Sequence, residues 1–318
     1  MKEHFKSDET TIYNCDNLEL LGNLPDSKIN LIYCDILYNT GKDFANYNDN
    51  LGTDAEAKEW YRPRIEQMKR CLAEDGSIFI HCNWRLEPHM TLLLNEVFGS
   101  NCYHNRIVRQ HSEERGFYRN VDSQFDTILW FVKNPGQFTF NPEHHDKPRA
   151  IPLWEDGFIA ERSDTRHGID LGSQNKHWIV SPAQLDKMIN DGEFRIVDDM
   201  PYRWTSVKPI GNMWVEPEMF DNYSRRVADS AYDTPKPEAV LERIISMSSN
   251  PDDLVADFFL GGGTTAVVAK KLGRRFIGCD ISEKACEVTV NKLQGGVRGL
   301  LTNRSGFASP SGGNIPKL

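Results

Sequence analysis

The sequence predicts an α/β fold, a mostly parallel sheet with helices on both faces. Three observations carry this. The short apolar runs "INLIYCD" (29–35) and "GSIFIHC" (76–82) are bounded by turn signals, as core strands of a parallel sheet are. A stretch of helical spacing lies between them. The same alternation returns near the C-terminus.

Each element has its own signal. In "DAEAKEWYRPRIEQMKRCLAEDG", Trp60, Ile65, Met68 and Leu72 share one helical face, and Pro63 is expected to kink or restart the helix. Strand, helix and strand make a right-handed βαβ unit. A further helix is expected at "LEPHMTLLLNEVFG", then strands at "HNRIVRQ" and "FDTILWFV". Toward the end, "EAVLERIISMS" reads as an amphipathic helix and "DLVADFF" as a buried strand. "TTAVVAKKLG" then reads as a helix closed by Gly273, and "RRFIGCDI" as a last strand. From 296 the Gly, Ser and Pro content predicts a flexible tail.

Between about 134 and 222 the α/β rhythm fades, and Pro, Trp, His and charged residues intermix. Structureless loops rarely exceed about 15 residues, so this stretch reads as an inserted module. The expected organisation is therefore 1–133, an insert at 134–222, 223–295 and a tail at 296–318.

With 318 residues the chain can bury a substantial core. A net charge of −9 argues against a polyanion-coated surface, although Arg106, Arg109, Arg115 and Arg119 cluster, and Arg225 adjoins Arg226. No apolar run approaches the ~18 residues of a membrane span, and "MKEHFKSDETT" has no signal-peptide core. The seven cysteines form no CxxC pair, which reads as reduced thiols in a cytoplasmic compartment. His144 and His145 lack further ligands at metal spacing, so no metal site is expected.

"DFFLGGGTTAVVAKKLGRRFIGCD" runs strand, glycine turn, helix, strand, acid. Gly261, Gly263 and Ala266 satisfy G-x-G-x-x-A, and Asp280 lies where a carboxylate would accept from ribose hydroxyls. Alone this fits NAD, FAD or S-adenosylmethionine. Too few residues follow Asp280 for the rest of a dinucleotide sheet, and Thr264 and Thr265 suit a compact ligand end better than a pyrophosphate.

"DILYNTGKDF" (35–44), "YDTPKPEAVLERIISMSSNPDDLVADFFLGGGTT" and "RRFIGCD", in this order, resemble the amino-directed DNA methyltransferases of the β-class motif order, the modification subunits of type III systems among them. The likeness covers about residues 10–140 and 225–293. It implies the S-adenosylmethionine-dependent methyltransferase fold, with a circularly permuted seven-stranded sheet and a target-recognition insert.

The family's Asp-Pro-Pro-Tyr is here Asp35-Ile36-Leu37-Tyr38. By resemblance, the Asp35 carboxylate and the Ile36 carbonyl would hold the amine of a flipped base, and Tyr38 would stack on that base. Two prolines that pre-set the turn are absent, which is expected to weaken pre-organisation. The resemblance also implies cofactor contacts from Asp16, Thr234, Lys236, Asp257, Phe259, Gly261, Gly263, Thr264 and Asp280. Asn39 would border the base pocket. Arg106, Arg109, Arg115 and Arg119 would meet DNA, with Lys147, Arg149, Arg162, Arg166, Arg203 and Lys208 as further candidates. His81 and Trp84 follow the second strand and read as core cover or pocket rim.

The expected activity is transfer of a methyl group from S-adenosylmethionine to adenine N6 in double-stranded DNA. Cytosine-N4 methylation and a catalytically impaired binding homologue stay open, as do a homodimer and a separate restriction subunit.

Overall fold

The computed structural model describes residues 1–41, 48–111, 123–162, 164–208, 210–220 and 236–295. Thr234, Arg115, Arg119, Arg225, Arg226 and the expected tail lie outside the described residues. The chain divides into two units, one formed by Met1–Asn141 and the chain from Asn212, the other by Pro142–Gly211.

The first unit runs β1 (Lys2–Lys6), β2 (Thr10–Asn14), α1 (Asn17–Asn23), β3 (Ile29–Asp35), α2 (Asp54–Cys71), β4 (Leu72–Asn83), α3 (Glu87–Phe98), β5 (Tyr103–Gln110) and β6 (Phe125–Val132). The second holds β7 (Glu143–Pro152), β8 (Trp154–Asp156), β9 (Thr165–Arg166), β10 (Ile169–Asp170), β11 (Lys176–Trp178), α4 (Pro182–Asn190), β12 (Phe194–Val197) and β13 (Met200–Lys208). The first then resumes with β14 (Met213–Trp214), α5 (Glu238–Ser248), β15 (Leu254–Asp257), α6 (Thr264–Lys271), β16 (Arg275–Asp280) and α7 (Glu283–Leu293).

One sheet organises the first unit, in the order β1-β2-β16-β15-β3-β4-β6-β5-β14. Strands β2, β16, β15, β3 and β4 are parallel neighbours, while β6 runs antiparallel to both β4 and β5. The last two strands in sequence thus sit inside the sheet, between β2 and β3, which is the permuted arrangement. The sheet has nine strands rather than the expected seven. The additional two are edges: β1 pairs antiparallel with β2, and β14 adds two residues beside β5. "KEHFK" is too polar for a core strand, but an edge strand buries little.

Both sheet faces are covered, which explains why its central strands read as continuous apolar runs. Ile32, Cys34, Ile78 and Ile80 pack with Tyr61, Ile65 and Met68 of α2 and Leu93 and Leu94 of α3. Leu31, Tyr33, Phe79 and Val255 pack with Leu241 and Ile244 of α5 and Ala266 and Val268 of α6. A capping box between Thr53 and Glu56 starts α2. This helix runs unbroken through Pro63, against expectation. The burial of Tyr61, Ile65 and Met68 outweighs the one backbone hydrogen bond that proline removes.

The second unit has its own core of Leu153, Leu171, Trp178 and Leu185, beside the three-stranded sheet β12-β13-β7. It is shorter than the expected insert of 134–222. Asn141 is tied to the first unit by its backbone N–H to Met247 and its side chain to Ser249. At the other end, the Asn212 carbonyl accepts from the Val108 N–H as β14 joins the main sheet.

Candidate active site

Parallel neighbours end on the same sheet edge, so the C-terminal tips of β3, β4, β15 and β16 meet there. A cleft of about 830 Å³ opens at these tips. Asp35, Ile36 and Tyr38 line it from β3, and Gly261, Gly263 and Asp280 line it from the glycine turn.

On the β15–β16 side, the buried carboxylate of Asp257 and the half-buried one of Asp280 organise the turn. Asp280 accepts from the Gly261 N–H at 2.9 Å and the Ser282 N–H at 2.8 Å. Asp257 accepts from the Phe259 N–H at 3.0 Å and the Thr265 hydroxyl at 2.6 Å. Burial raises both pKa values against these hydrogen bonds, that of Asp257 to about 7. Gly263 has φ +74°, and a Cβ there would stand 2.2 Å from the Thr289 hydroxyl of α7. Backbone conformation and helix packing therefore both demand this glycine. Thr264 lines the cleft. Asp16 caps α1 through the Leu18 N–H and pairs with Arg64 at 3.0 Å. The Phe259 ring lies 6.4 Å from that of Trp60, and both line the cleft with Asp16.

On the β3 side, Asp35 has both oxygens engaged. The Tyr38 hydroxyl donates to Oδ1 at 2.8 Å, and Lys236 Nζ lies 3.0 Å from Oδ2. Lys236, expected at the cofactor side, thus contacts the residue expected to grip the base. The turn after Asp35 is held without prolines. The Ile36 N–H donates to the His81 carbonyl at 3.2 Å, extending the β3–β4 ladder by one rung. The Tyr61 hydroxyl donates to the Leu37 carbonyl at 2.9 Å. Both peptide units flanking the Ile36 carbonyl are therefore pinned, and no described residue donates to that carbonyl itself.

Beneath Asp35 lies a buried polar chain that sequence reading missed. The Tyr33 hydroxyl is 2.7 Å from His81 Nδ1, His81 Nε2 is 3.3 Å from Asp126 Oδ2, and Arg109 Nη2 is 2.7 Å from the same oxygen. Arg109 also donates to the Met219 carbonyl. Burial lowers the His81 pKa against the pull of Asp126 and Asp35. Burial works the other way on Asp126, but His81, Lys236 and Arg109 outweigh it and keep the carboxyl ionised. The hint in the sequence is a histidine inside the apolar run of β4 and an aspartate near the start of β6, whereas Arg109 stands among other polar residues of β5. Only the pairing of β4 and β5 on either side of β6 brings those residues together.

Two residues expected to meet DNA are otherwise committed. Arg109 is 0% exposed and bound to Asp126, so it holds the sheet rather than a phosphate. The Asn39 side chain is spent on its own loop, donating to the Gly52 carbonyl and accepting from the Leu51 N–H. Arg106 remains exposed, 3.8 Å from Glu87. Trp84 is 51% exposed on the cleft rim, whereas His81 is wholly buried. Among the described residues no group of three or more His, Cys, Asp or Glu is arranged to hold a metal ion, and no helix is long and apolar enough to cross a membrane.

Removing one partner of a buried ion pair leaves an uncompensated charge. Arg109→Met should therefore destabilise the fold by about 3–5 kcal/mol in urea unfolding. A loss below about 1 kcal/mol, the scale of a single neutral hydrogen bond, would mean that the pair is not structural. Asp257 gives a pH test. Its folded pKa of about 7 exceeds the value of 3.8 that its exposed carboxyl would have. The folded state therefore keeps a proton that the unfolded state releases. This contribution is full below about pH 4 and is lost as pH rises through about 7. Asp257→Asn should flatten that decline and stabilise the protein at pH 8. Parallel pH–stability curves for the two proteins would refute it.

A model of the N6/N4 DNA methylase family matches residues 29–291. The chain is 29% identical to the DNA adenine methyltransferase YhdJ of Escherichia coli K12, over 91% of this chain and 84% of that protein. It is 27% identical to the type II methyltransferase M.EcaI of Enterobacter cloacae, over 84% of this chain, and spans 65% of the length of that relative. Its fold is similar to that of the cytosine-N4-specific PvuII DNA methyltransferase, with a TM-score of 0.55 at 15% identity over 91% and 88% of the two chains. The chain belongs to the N6/N4 DNA methylase family.

Proposed function

We propose that this protein transfers the methyl group of S-adenosylmethionine to N6 of an adenine extruded from duplex DNA. The observation that carries the proposal is the single cleft lined by both Asp35 and the Gly261 turn. The donor set fits the cofactor. Asp280 stands at a strand tip, where it would accept from ribose hydroxyls, and Asp16 and Phe259 line the same cleft, where they would flank the adenine. Gly261 to Thr264 border the amino-acid end, with Asp257 behind them. When bound, the cofactor supplies an electrophilic methyl on a sulfonium.

The chain's own residues must make a poor nucleophile attack. The lone pair of an exocyclic amine is delocalised into its ring. An N–H held by the Asp35 carboxylate and a second held by the Ile36 carbonyl would draw the nitrogen toward tetrahedral geometry and aim its lone pair. To do so, the amine replaces the Tyr38 hydroxyl on Asp35 Oδ1, which releases the Tyr38 ring to stack on the base. The Ile36 carbonyl must be aimed in advance. Here the Ile36–His81 and Tyr61–Leu37 hydrogen bonds stand in for the missing prolines, which favours an active enzyme over an impaired homologue. The insert at 142–211 is the candidate reader of sequence context, with Arg149, Arg162, Arg166 and Arg203 as its candidate contacts.

Adenine is favoured over cytosine by Asp at the head of the tetrapeptide, where cytosine-N4 enzymes more often carry Ser. The adenine specificity in the name of the relative YhdJ points the same way. DNA incubated with protein and cofactor, digested to nucleosides and weighed, should contain N6-methyladenine. N4-methylcytosine alone would overturn the base assignment. Asp35→Ala should lower the rate by at least about 100-fold, the scale of a lost preorganised polar contact. Tyr61→Phe removes only the pin on Leu37, and should cost about 1 kcal/mol, or roughly fivefold in methyl transfer. An unchanged rate would show that the turn is held elsewhere.

A further inference from the structure

We infer that Lys236 donates a hydrogen bond to the ring nitrogen beside the target amine, so that Asp35 and Lys236 together read one edge of the base. This rests on the reading of Asp35 as the group that grips the amine. Three observations lead to it. Lys236 Nζ lies 3.0 Å from Asp35 Oδ2, and its side chain is only 11% exposed. Its ammonium lies 5.2 Å from the centre of the Tyr38 ring, the ring that would stack on the base. Among the described residues lining the cleft it is the single lysine or arginine, against aspartates at 16, 35, 49, 126, 257 and 280.

The chemistry follows from the edge of the substrate. In adenine, the N6 amine presents an N–H donor, and the adjacent ring nitrogen N1 presents a lone pair. A carboxylate beside an ammonium offers the complementary acceptor and donor, in the same order and at neighbouring positions. The base replaces the Tyr38 hydroxyl on one carboxylate oxygen, while Lys236 keeps the other oxygen and turns a second N–H to the ring. An ammonium has three donors, so both contacts are available at once. No proton is transferred. A solvated lysine would gain nothing from this position, and a lysine serving the cofactor's carboxylate would have no reason to sit on Asp35.

The test pairs a substrate analogue with a variant. Duplexes carry the recognised sequence, identified first from methylated DNA of an expressing strain, with either adenine or 1-deazaadenine at the target. The analogue has C–H in place of N1. Removing that nitrogen leaves the amine richer in electrons, so a slower reaction cannot come from a weaker nucleophile. Wild-type protein should methylate the analogue about 10- to 100-fold more slowly, the scale of a hydrogen bond to a charged group. Lys236→Met should lose a similar factor on adenine, show no further loss on the analogue, and bind S-adenosylmethionine within about twofold of wild type by calorimetry. Equal wild-type rates on the two bases would overturn the inference, and this comparison needs no variant to fold. A Lys236→Met protein that keeps the base preference but loses cofactor affinity would overturn it as well, placing Lys236 at the cofactor. Failure of wild-type protein to methylate ordinary adenine would bring down the underlying reading, and the inference with it.

Discussion

The parallel pairing of β3 with β15 is the constraint on which the site depends. Leu31 lies opposite Val255 and Ile32 opposite Ala256, so Asp257 is level with Tyr33 and Asp35 stands two residues further along the same edge. One strand terminates in Asp35 and the other in Asp257 and the glycine turn. A parallel sheet delivers both tips to one edge, whatever the distance between them in sequence. More than two hundred residues separate these strands in the chain, yet their tips line one cleft. A one-residue slip of β3 would turn Asp35 to the opposite face and bury Cys34 or Ile36 against the wrong helix layer.

A second feature is where charge has been buried. Stability would be served as well by apolar residues at positions 81, 109 and 126, since buried ion pairs seldom beat hydrophobic replacements. Instead a histidine, an arginine and an ionised aspartate lie in the sheet beside Asp35. His81 Nδ1 is 3.8 Å from Asp35 Oδ1 and is already engaged by Tyr33. Tyr33 ties β3 to His81 of β4, and Arg109 of β5 ties Asp126 of β6 to the Met219 carbonyl, so the strand tips are held in two bonded pairs that lie against each other. Rigidity below the reacting group is what a site relying on orientation requires.

Much of this was legible in the sequence. The runs at 29–35, 104–110, 125–132 and 238–248 became the elements expected of them, to within a residue, because buried strands and amphipathic helices have local signatures. The glycine turn and its following acid were legible for the same reason, being contiguous. What the sequence hid was pairing across strands. Arg109 looked like one of four clustered surface arginines, but the alternation of β5 turns it inward against Asp126. Lys236 reads as a cofactor contact in the sequence, and its contact with Asp35 joins positions about two hundred residues apart. The missing prolines suggested a loose turn, since Tyr61, which holds it, comes from a helix more than twenty residues on.

The central claim is that one carboxylate and one peptide oxygen at the tip of β3 hold the base beside the cofactor. The most direct test is a crystal structure of the protein with S-adenosylhomocysteine and a duplex carrying its recognised sequence. The account predicts an adenine rotated out of the helix, with N6 within hydrogen-bonding distance of both the Asp35 carboxylate and the Ile36 carbonyl. An extruded base whose amine contacts neither oxygen, with the cofactor bound at the Gly261 turn, would contradict it.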